Sequence, residues 1–255
     1  MSVDSALLGR CESGEVSPIL RLYGWREPSV TIGYSQKADR ELDLDRCREA
    51  GIPVVRRPSG GRALLHHREV TYSVAAPVSH PRFQKGLKNT FSAISEALLA
   101  GLAVLGIEGA QGTPEPGGRR TRETRSPACF ASLNHCEITV GGQKLIGSAQ
   151  KRTARAFLQH GSVMIDSDPD LLLSLLRFEN DRQRTLTRRR LEESATDLNR
   201  VCSREVTFEE VRAAVLQGFQ QTFPGIWTPE PPPLREDLSH SLYSSLTGAG
   251  HDVLS

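Results

Sequence analysis

The chain has 255 residues, of which 38% are hydrophobic and 24% charged, with a formal net charge of +2 at pH 7. That length and apolar content suffice for one large domain with a core of its own, or for one domain with a small appendage. So balanced a charge gives no argument for nucleic-acid binding, and no run of about eighteen apolar residues could span a bilayer, so a soluble protein with neither nucleic acid nor membrane as partner is expected.

Met1 to Leu8 lacks the basic region, apolar block and small-residue cleavage site of a secretory signal, which makes the cytoplasm the expected compartment. Cys11, Cys47, Cys129, Cys136 and Cys202 form an odd set without a Cys-x-x-Cys pair, so neither a disulfide framework nor a zinc site is indicated. A cysteine of this kind is more often a small buried hydrophobe than a nucleophile, and context must single one out.

In chain order, Asp4 to Cys11 reads as a short helix and Ser29 to Gly33 as a strand, because β-branched residues cluster before a glycine break. Asp43 to Ala50 is predicted helical with a stop at Gly51, and Ile52 to Val55 extended. The chain is thereby delivered at a strand end into Arg56, Arg57, Pro58, Ser59, Gly60, Gly61 and Arg62. The glycine pair allows backbone to approach a ligand closely, and the arginines can stay charged in a partly dry cleft. Ala63 to Leu65 and Val70 to Ala75 read as neighbouring strands of a hairpin across the polar His66 to Glu69. Asn89 to Leu105 is the strongest helix, its face of Phe91, Ile94, Leu98, Leu102 and Leu105 belonging to the core and Gly106 ending it.

From Gln111 to Pro127 the chain is rich in Gly, Pro, Thr and Arg, with Arg119, Arg120, Arg122 and Arg125 crowded together, which predicts a mobile loop. Composition alone makes it a solvated linker, but it joins directly to Cys129. Glu137 to Val140 and Gln143 to Ile146 flank Gly141 and Gly142 as a two-residue hairpin. Pairing Val140 with Gln143 puts Ile138, Val140 and Leu145 on one face and Lys144 on the other beside Thr139, facing either solvent or a ligand cleft. After Phe157 to Gly161 and the strand Ser162 to Ile165, Pro169 opens a helix through Leu176 capped by Ser167 or Asp168. Thr207 and Glu210 form a capping box ahead of Phe208, Val211, Val215 and Phe219. Arg188 to Arg190 reads as a solvated face, and the stretch from Pro224 as a linker with a marginal terminal helix.

Three segments in order carry a resemblance: Arg56 to His66 with Glu69 to Val74 behind it, Lys144 to Arg152, and Phe157 to Ser162. They resemble the signature of the superfamily of lipoate ligases, octanoyltransferases and biotin ligases, over about Asp4 to Phe223. The resemblance implies an α+β fold with a mixed, largely antiparallel sheet packed with helices, like class II aminoacyl-tRNA synthetases and biotin ligases. It implies one catalytic domain over 1–223, with 166–223 its smaller helical part, and a Pro-rich tail over 224–255. Cys129 and Phe130, just ahead of the hairpin, are similar to the LipM-type octanoyltransferase branch, whose cysteine carries the acyl group as a thioester.

That resemblance makes Cys129 the expected nucleophile and Lys144 the cation that favours its thiolate. Lys144→Met is then expected to raise the Cys129 pKa while leaving the fold largely intact. The implied reaction moves octanoyl from acyl carrier protein to Cys129 and on to a lysine of lipoyl domains, those of the glycine cleavage H protein and of 2-oxoacid dehydrogenase E2, by a monomer with no metal or other cofactor. Arg57, Ser59, Gly60, Gly61, Arg62, His66, Gly147, Ser148, Ala149, Gln150 and His160 are the implied substrate-binding residues, the two histidines as lining only. The base that must take the lysine's proton is not identified, neutral Lys144 being one candidate. The arginine loop is expected to help dock acidic carriers. His67 stands where relatives commonly have aspartate, and the chain begins at what resembles the family's first helix, without the strand that usually precedes it. The alternatives on the same fold are an ATP-dependent lipoate or octanoate ligase, which needs no cysteine, and an amidotransferase that takes octanoyl from the glycine cleavage H protein.

Overall fold

A computed structural model describes residues 1–15, 18–84, 86–112, 137–225 and 227–228. The elements in order are α1 (Ser2–Ser13), β1 (Ile19–Tyr23), β2 (Ser29–Ile32), α2 (Ala38–Glu41), α3 (Leu44–Glu49), β3 (Val54–Arg56), β4 (Leu64–His66), β5 (Arg68–Pro77) and α4 (Gly86–Val104). They continue with β6 (Ala110–Gln111), β7 (Ile138–Val140), β8 (Gln143–Arg152), β9 (Ala156–Asp166), α5 (Pro169–Leu175), α6 (Asp181–Ser194), α7 (Leu198–Cys202) and α8 (Phe208–Thr222). Local chemistry sets the helix ends. Asp43 accepts the Arg46 amide at 3.1 Å to open α3, Asp168 rather than Ser167 caps α5, and Thr207 with Glu210 closes a capping box on α8.

Six strands form one antiparallel sheet in the order β1-β5-β9-β8-β7-β6, and β3, β2 and β4 form a small mixed sheet. The class is α+β with a mostly antiparallel sheet, as the resemblance implied. The expected hairpin between Ala63 to Leu65 and Val70 to Ala75 does not form. Strand β4 pairs with β2, whereas β5 pairs with β1 and β9. Only His67 separates them, too little chain to reverse direction, and the inward bond between His66 and Glu69 carries the backbone straight from one sheet into the other.

Helices α4 and α8 cover one face of the large sheet. Ile94, Leu98 and Leu102 of α4 join Val70, Tyr72, Val74 and Val163 of the sheet and Val211, Val215 and Phe219 of α8 in the main core. The two helices touch through glycine, for a Cβ at Gly218 would lie 2.3 Å from the Ala97 carbonyl oxygen and the Gly101 nitrogen. A second core holds Val30, Ile32, Leu65 and Met164 against Leu172, Leu175 and Leu191 of α5 and α6. Residues 166–223 therefore serve both cores.

Gly141 and Gly142 take φ of 58° and 81°, the left-handed pair that a tight hairpin of this twist requires. Val140 pairs with Gln143 and Thr139 with Lys144 as read from sequence, but a bulge sets Ile138 opposite Ile146 instead of Leu145. At Gly161, inside β9 and paired on both sides, a Cβ would meet the Gly147 carbonyl oxygen at 2.2 Å and a Tyr72 ring carbon at 2.7 Å. Gly161→Ala should therefore cost at least about 1–3 kcal/mol, seen as a lower urea midpoint. An unchanged midpoint would show that β8 and β9 part more easily than this contact allows.

Candidate active site

Strands β5, β9 and β8 lie side by side, with Thr71 opposite Ser162 opposite Gly147, and Ser73 opposite His160 opposite Ala149. Alternation places these six residues and Glu69 on one face of the large sheet. The opposite face looks toward α4 and α8, and Ser148 and Gln150 belong to it. There the Tyr72 hydroxyl lies 2.6 Å from Ser148 Oγ, and Gln150 Nε2 donates to Gln159 Oε1 at 3.0 Å. The structure thus brings Gly147, Ala149 and His160 together with Arg57, Ser59, Gly60, Gly61, Arg62 and His66, and sets Ser148 and Gln150 apart from them.

The loop between β3 and β4 is built around Arg57. This buried guanidinium donates to the carbonyl oxygens of Gly60 (3.2 and 3.0 Å), Arg62 (2.7 Å) and Thr31 (3.2 Å) and to Thr31 Oγ1 (3.1 Å). Gly61 has φ of 105°, and a Cβ there would lie 2.5 Å from Arg57 Nη2; a Cβ on Gly33 would lie 2.2 Å from the Gly61 oxygen. No larger residue fits either position. Arg56 ties the neighbouring turn by donating to the carbonyls of Gly33, Tyr34 and Gln36. Both guanidiniums therefore order backbone, which leaves Gly60 and Gly61 exposed at the rim.

Beneath the loop runs a buried polar chain. Thr31 Oγ1 accepts from Arg57, so its own hydrogen points to His66 Nε2 at 2.7 Å, and His66 Nδ1 donates to Glu69 Oε1 at 2.8 Å. The same oxygen receives the hydroxyls of Thr71 (2.5 Å) and Ser162 (2.7 Å). Trp25 stacks on His66 with ring centroids 4.2 Å apart and donates to Thr71 Oγ1 at 2.8 Å. Burial works against charge on Glu69, yet His66 and these donors outweigh it and hold the carboxyl below its ordinary range.

A second buried chain starts at Ser59, whose Oγ lies 2.5 Å from His160 Nε2. On the far side of the ring, Asp4 Oδ2 is 3.9 Å from His160 Nδ1, and the Asp4 carboxylate accepts from Arg21 at 2.8 Å and Tyr23 at 2.9 Å. Burial lowers the His160 pKa against the opposing pull of Asp4.

Lys144 departs from its expected setting. Neither solvent nor an open face receives it: it is 0% exposed and ion-paired with the carboxylate of Glu137. Its backbone is joined by residues from far along the chain, since Ala195 bridges to it and the Thr196 amide donates to its carbonyl at 2.9 Å. Cys129 and Arg119 to Arg125 lie outside the described residues. The described residues on either side are joined, the Gly112 amide donating to the Glu137 carbonyl oxygen at 2.7 Å, and Cys129 is eight residues from Glu137. Burial pushes the Cys11 thiol up to about 11 and raises that of Cys47, so both remain protonated packing groups.

Sequence reasoning gave no role to Asp4, Thr31, Glu69 or Glu137. For Glu69 a signal existed, since Glu69, Thr71 and Ser73 alternate with apolar residues in a strand and so mark a polar inner face. Among the described residues no group of three or more His, Cys, Asp or Glu could hold a metal ion, and no helix is long and apolar enough to cross a membrane.

The family description "Lipoyl protein ligase A/B catalytic domain" matches residues 1–220. The chain is 43% identical over 222 residues to octanoyltransferase LipM of Kyrpidia tusciae, covering 87% of this chain and 81% of that protein. It is 36% identical over 252 residues to octanoyltransferase LipM of Geobacillus kaustophilus, covering 96% and 91%. Its fold superposes on lipoate-protein ligase A bound with ATP with a TM-score of 0.73 at 25% identity, covering 98% of this chain and 90% of that one. A chain from the bi-partite lipoate protein ligase and E2 lipoyl domain system of Thermoplasma acidophilum gives 0.72 at 25% identity, covering 95% and 86%.

Proposed function

The chain belongs to the lipoyl protein ligase A/B catalytic domain family and is an octanoyltransferase of protein lipoylation, and we propose that it works through an octanoyl thioester on Cys129. The observation that supports the thioester is the buried Lys144–Glu137 ion pair, located where the segment carrying Cys129 rejoins the sheet. A cation held there favours thiolate over thiol.

In the first half-reaction the Cys129 thiolate attacks the thioester carbonyl of octanoyl-acyl carrier protein. A new carbon–sulfur bond forms, the carrier's carbon–sulfur bond breaks, and the carrier leaves as a thiolate that takes a proton from water. In the second, a lysine amine of a lipoyl domain attacks the octanoyl-enzyme, a carbon–nitrogen bond forms, and the Cys129 thiolate departs while the amine's proton passes to a base. Holding the acyl group on the enzyme lets two protein substrates use one cleft in turn. Gly60 on the loop has open space beside its backbone, and with Gly147 and Ala149 on the sheet it marks where the acyl group can lie.

The finer assignments are ours too: acyl carrier protein as donor, lipoyl domains of the glycine cleavage H protein and of 2-oxoacid dehydrogenase E2 as acceptors, a monomeric enzyme in the cytoplasm, and a catalytic domain over 1–223. The arginines from Arg119 to Arg125 steer acidic carriers toward Cys129. The distinguishing experiment is octanoyl transfer to a lipoyl domain without nucleotide, with octanoyl-acyl carrier protein and octanoyl-H protein compared as donors. Product without ATP, at least about tenfold faster from the acyl carrier, is the expected result, about 1.4 kcal/mol of discrimination. A strict ATP requirement would indicate a ligase, and preference for octanoyl-H protein an amidotransferase.

A further inference from the structure

We propose that Tyr34 and Lys151 form the subsite for the phosphopantetheine arm of the acyl donor, Lys151 holding the arm's phosphodiester and Tyr34 packing against its amide chain; this rests on acyl carrier protein being the donor, as read above. Tyr34 is 66% exposed, more than any other large hydrophobic side chain among the described residues, yet the turn that presents it is firmly held. The Tyr34 amide donates to the Ser59 carbonyl oxygen at 2.9 Å, the Gly33 amide donates to Gln36 Oε1 at 2.9 Å, and Arg56 donates to the carbonyls of Gly33, Tyr34 and Gln36. With Gly33 packed against the Gly61 oxygen, turn and glycine loop are locked together at the rim of the cleft. An aromatic ring held out on a fixed support can bind a partner at little ordering cost.

Lys151 reaches the same ring from the sheet. Along β8, Gly147, Ala149 and Lys151 alternate onto the cleft face, Lys151 lying opposite Leu158 of β9, and its ammonium stands 5.4 Å from the centre of the Tyr34 ring. It is half-buried, and among the described residues no carboxylate pairs with it. Arg56 and Arg57 are engaged on backbone carbonyls, whereas the charge of Lys151 is left for a ligand.

Charge and length choose the occupant. The acceptor brings a lysine ammonium, which a cation at the mouth repels, whereas the donor's arm is rooted in an anionic phosphodiester that a lysine attracts. From Gly147, beside which the acyl group can lie, Lys151 is four residues along the strand, roughly 13 Å at ~3.3 Å per residue. The arm, from thioester sulfur to phosphorus, has the backbone length of about four extended residues, roughly 14 Å. A thioester at Gly147 therefore puts the phosphodiester at Lys151, with the amide groups of the arm passing the Tyr34 ring.

The test varies the donor. Initial rates of octanoyl transfer to a lipoyl domain are measured with octanoyl-acyl carrier protein, with octanoyl-phosphopantetheine, and with octanoyl-pantetheine, which lacks the phosphate. Lys151→Ala is expected to raise KM about tenfold for both phosphate-bearing donors and less than about twofold for octanoyl-pantetheine, with kcat unchanged. Lys151→Arg, which keeps the charge, should stay within about threefold of wild type on every donor. Tyr34→Ala should raise KM about fivefold for all three, and Tyr34→Phe should restore it. Discharge of isolated octanoyl-enzyme to the lipoyl domain should proceed at the wild-type rate in Lys151→Ala. Equal rises in KM on all three donors, a rise confined to the carrier protein, which would indicate its acidic surface instead of its arm, or slowed discharge overturns the proposal. If Lys151→Ala does not fold, Lys151→Gln is held to the same standard. Wild-type enzyme that never acquires octanoyl would overturn the thioester reading while the KM comparison still decides this inference, and absence of turnover with octanoyl-acyl carrier protein would overturn the donor reading itself.

Discussion

Lys144→Met is expected to destabilise the fold by about 3–5 kcal/mol and to slow formation of the octanoyl-enzyme, two effects that a second substitution separates. The Lys144 and Glu137 side chains are 1% and 5% exposed, so removing the cation leaves a carboxylate stranded in the interior. The Glu137 carbonyl also accepts the Gly112 amide, so the pair sits where the described residues on either side of 113–136 are joined. Sequence placed Lys144 off the apolar face and implied a fold largely indifferent to its loss; the buried ion pair reverses that expectation. Replacing both partners, Lys144→Met with Glu137→Leu, should restore most of the stability, because no charge is then left unpaired. It should not restore a low Cys129 titration midpoint, read as alkylation rate against pH. A single variant that unfolds at the wild-type urea concentration would contradict the structural part, and an unchanged alkylation midpoint in the double variant the electrostatic part.

Cys129→Ala is expected to lower octanoyl transfer by at least about 10³-fold without lowering the urea midpoint, since covalent catalysis is lost with the nucleophile. Cys11 and Cys47 cannot substitute, because burial holds both as thiols inside the protein. Cys11→Ala and Cys47→Ala should accordingly keep turnover within about threefold while losing some stability to the cavities they leave. More than about a tenth of wild-type turnover in Cys129→Ala would place the nucleophile elsewhere.

Local chemistry was legible where a residue acts on its own neighbours. The Thr207–Glu210 pair caps the helix it was expected to cap, Asp168 is the one of its two candidates that caps α5, Asp43, read as the first residue of its helix, is its cap, and Gly141 with Gly142 turns the hairpin that their freedom at positive φ allows. What was not legible depends on partners distant in sequence. Lys144 is buried where Ala195 and Thr196 join its backbone from far along the chain, and alternation within its own strand carries no information about them. Ser59 and His160 meet across 101 positions, and Asp4 joins them from the first helix. The alternation that divides Gly147 and Ala149 from Ser148 and Gln150 could be read directly, but which face meets the glycine loop is decided by the side on which the small sheet packs. The separate destinations of β4 and β5 follow from that same packing and from the inward bond between His66 and Glu69.

The most direct measurement is the intact mass of the enzyme after incubation with octanoyl-acyl carrier protein, with no nucleotide present. The account predicts one added octanoyl group on the wild-type chain, mapped to Cys129, released by hydroxylamine and absent from Cys129→Ala. An octanoyl group that requires ATP, survives hydroxylamine, or appears on Cys129→Ala would contradict it.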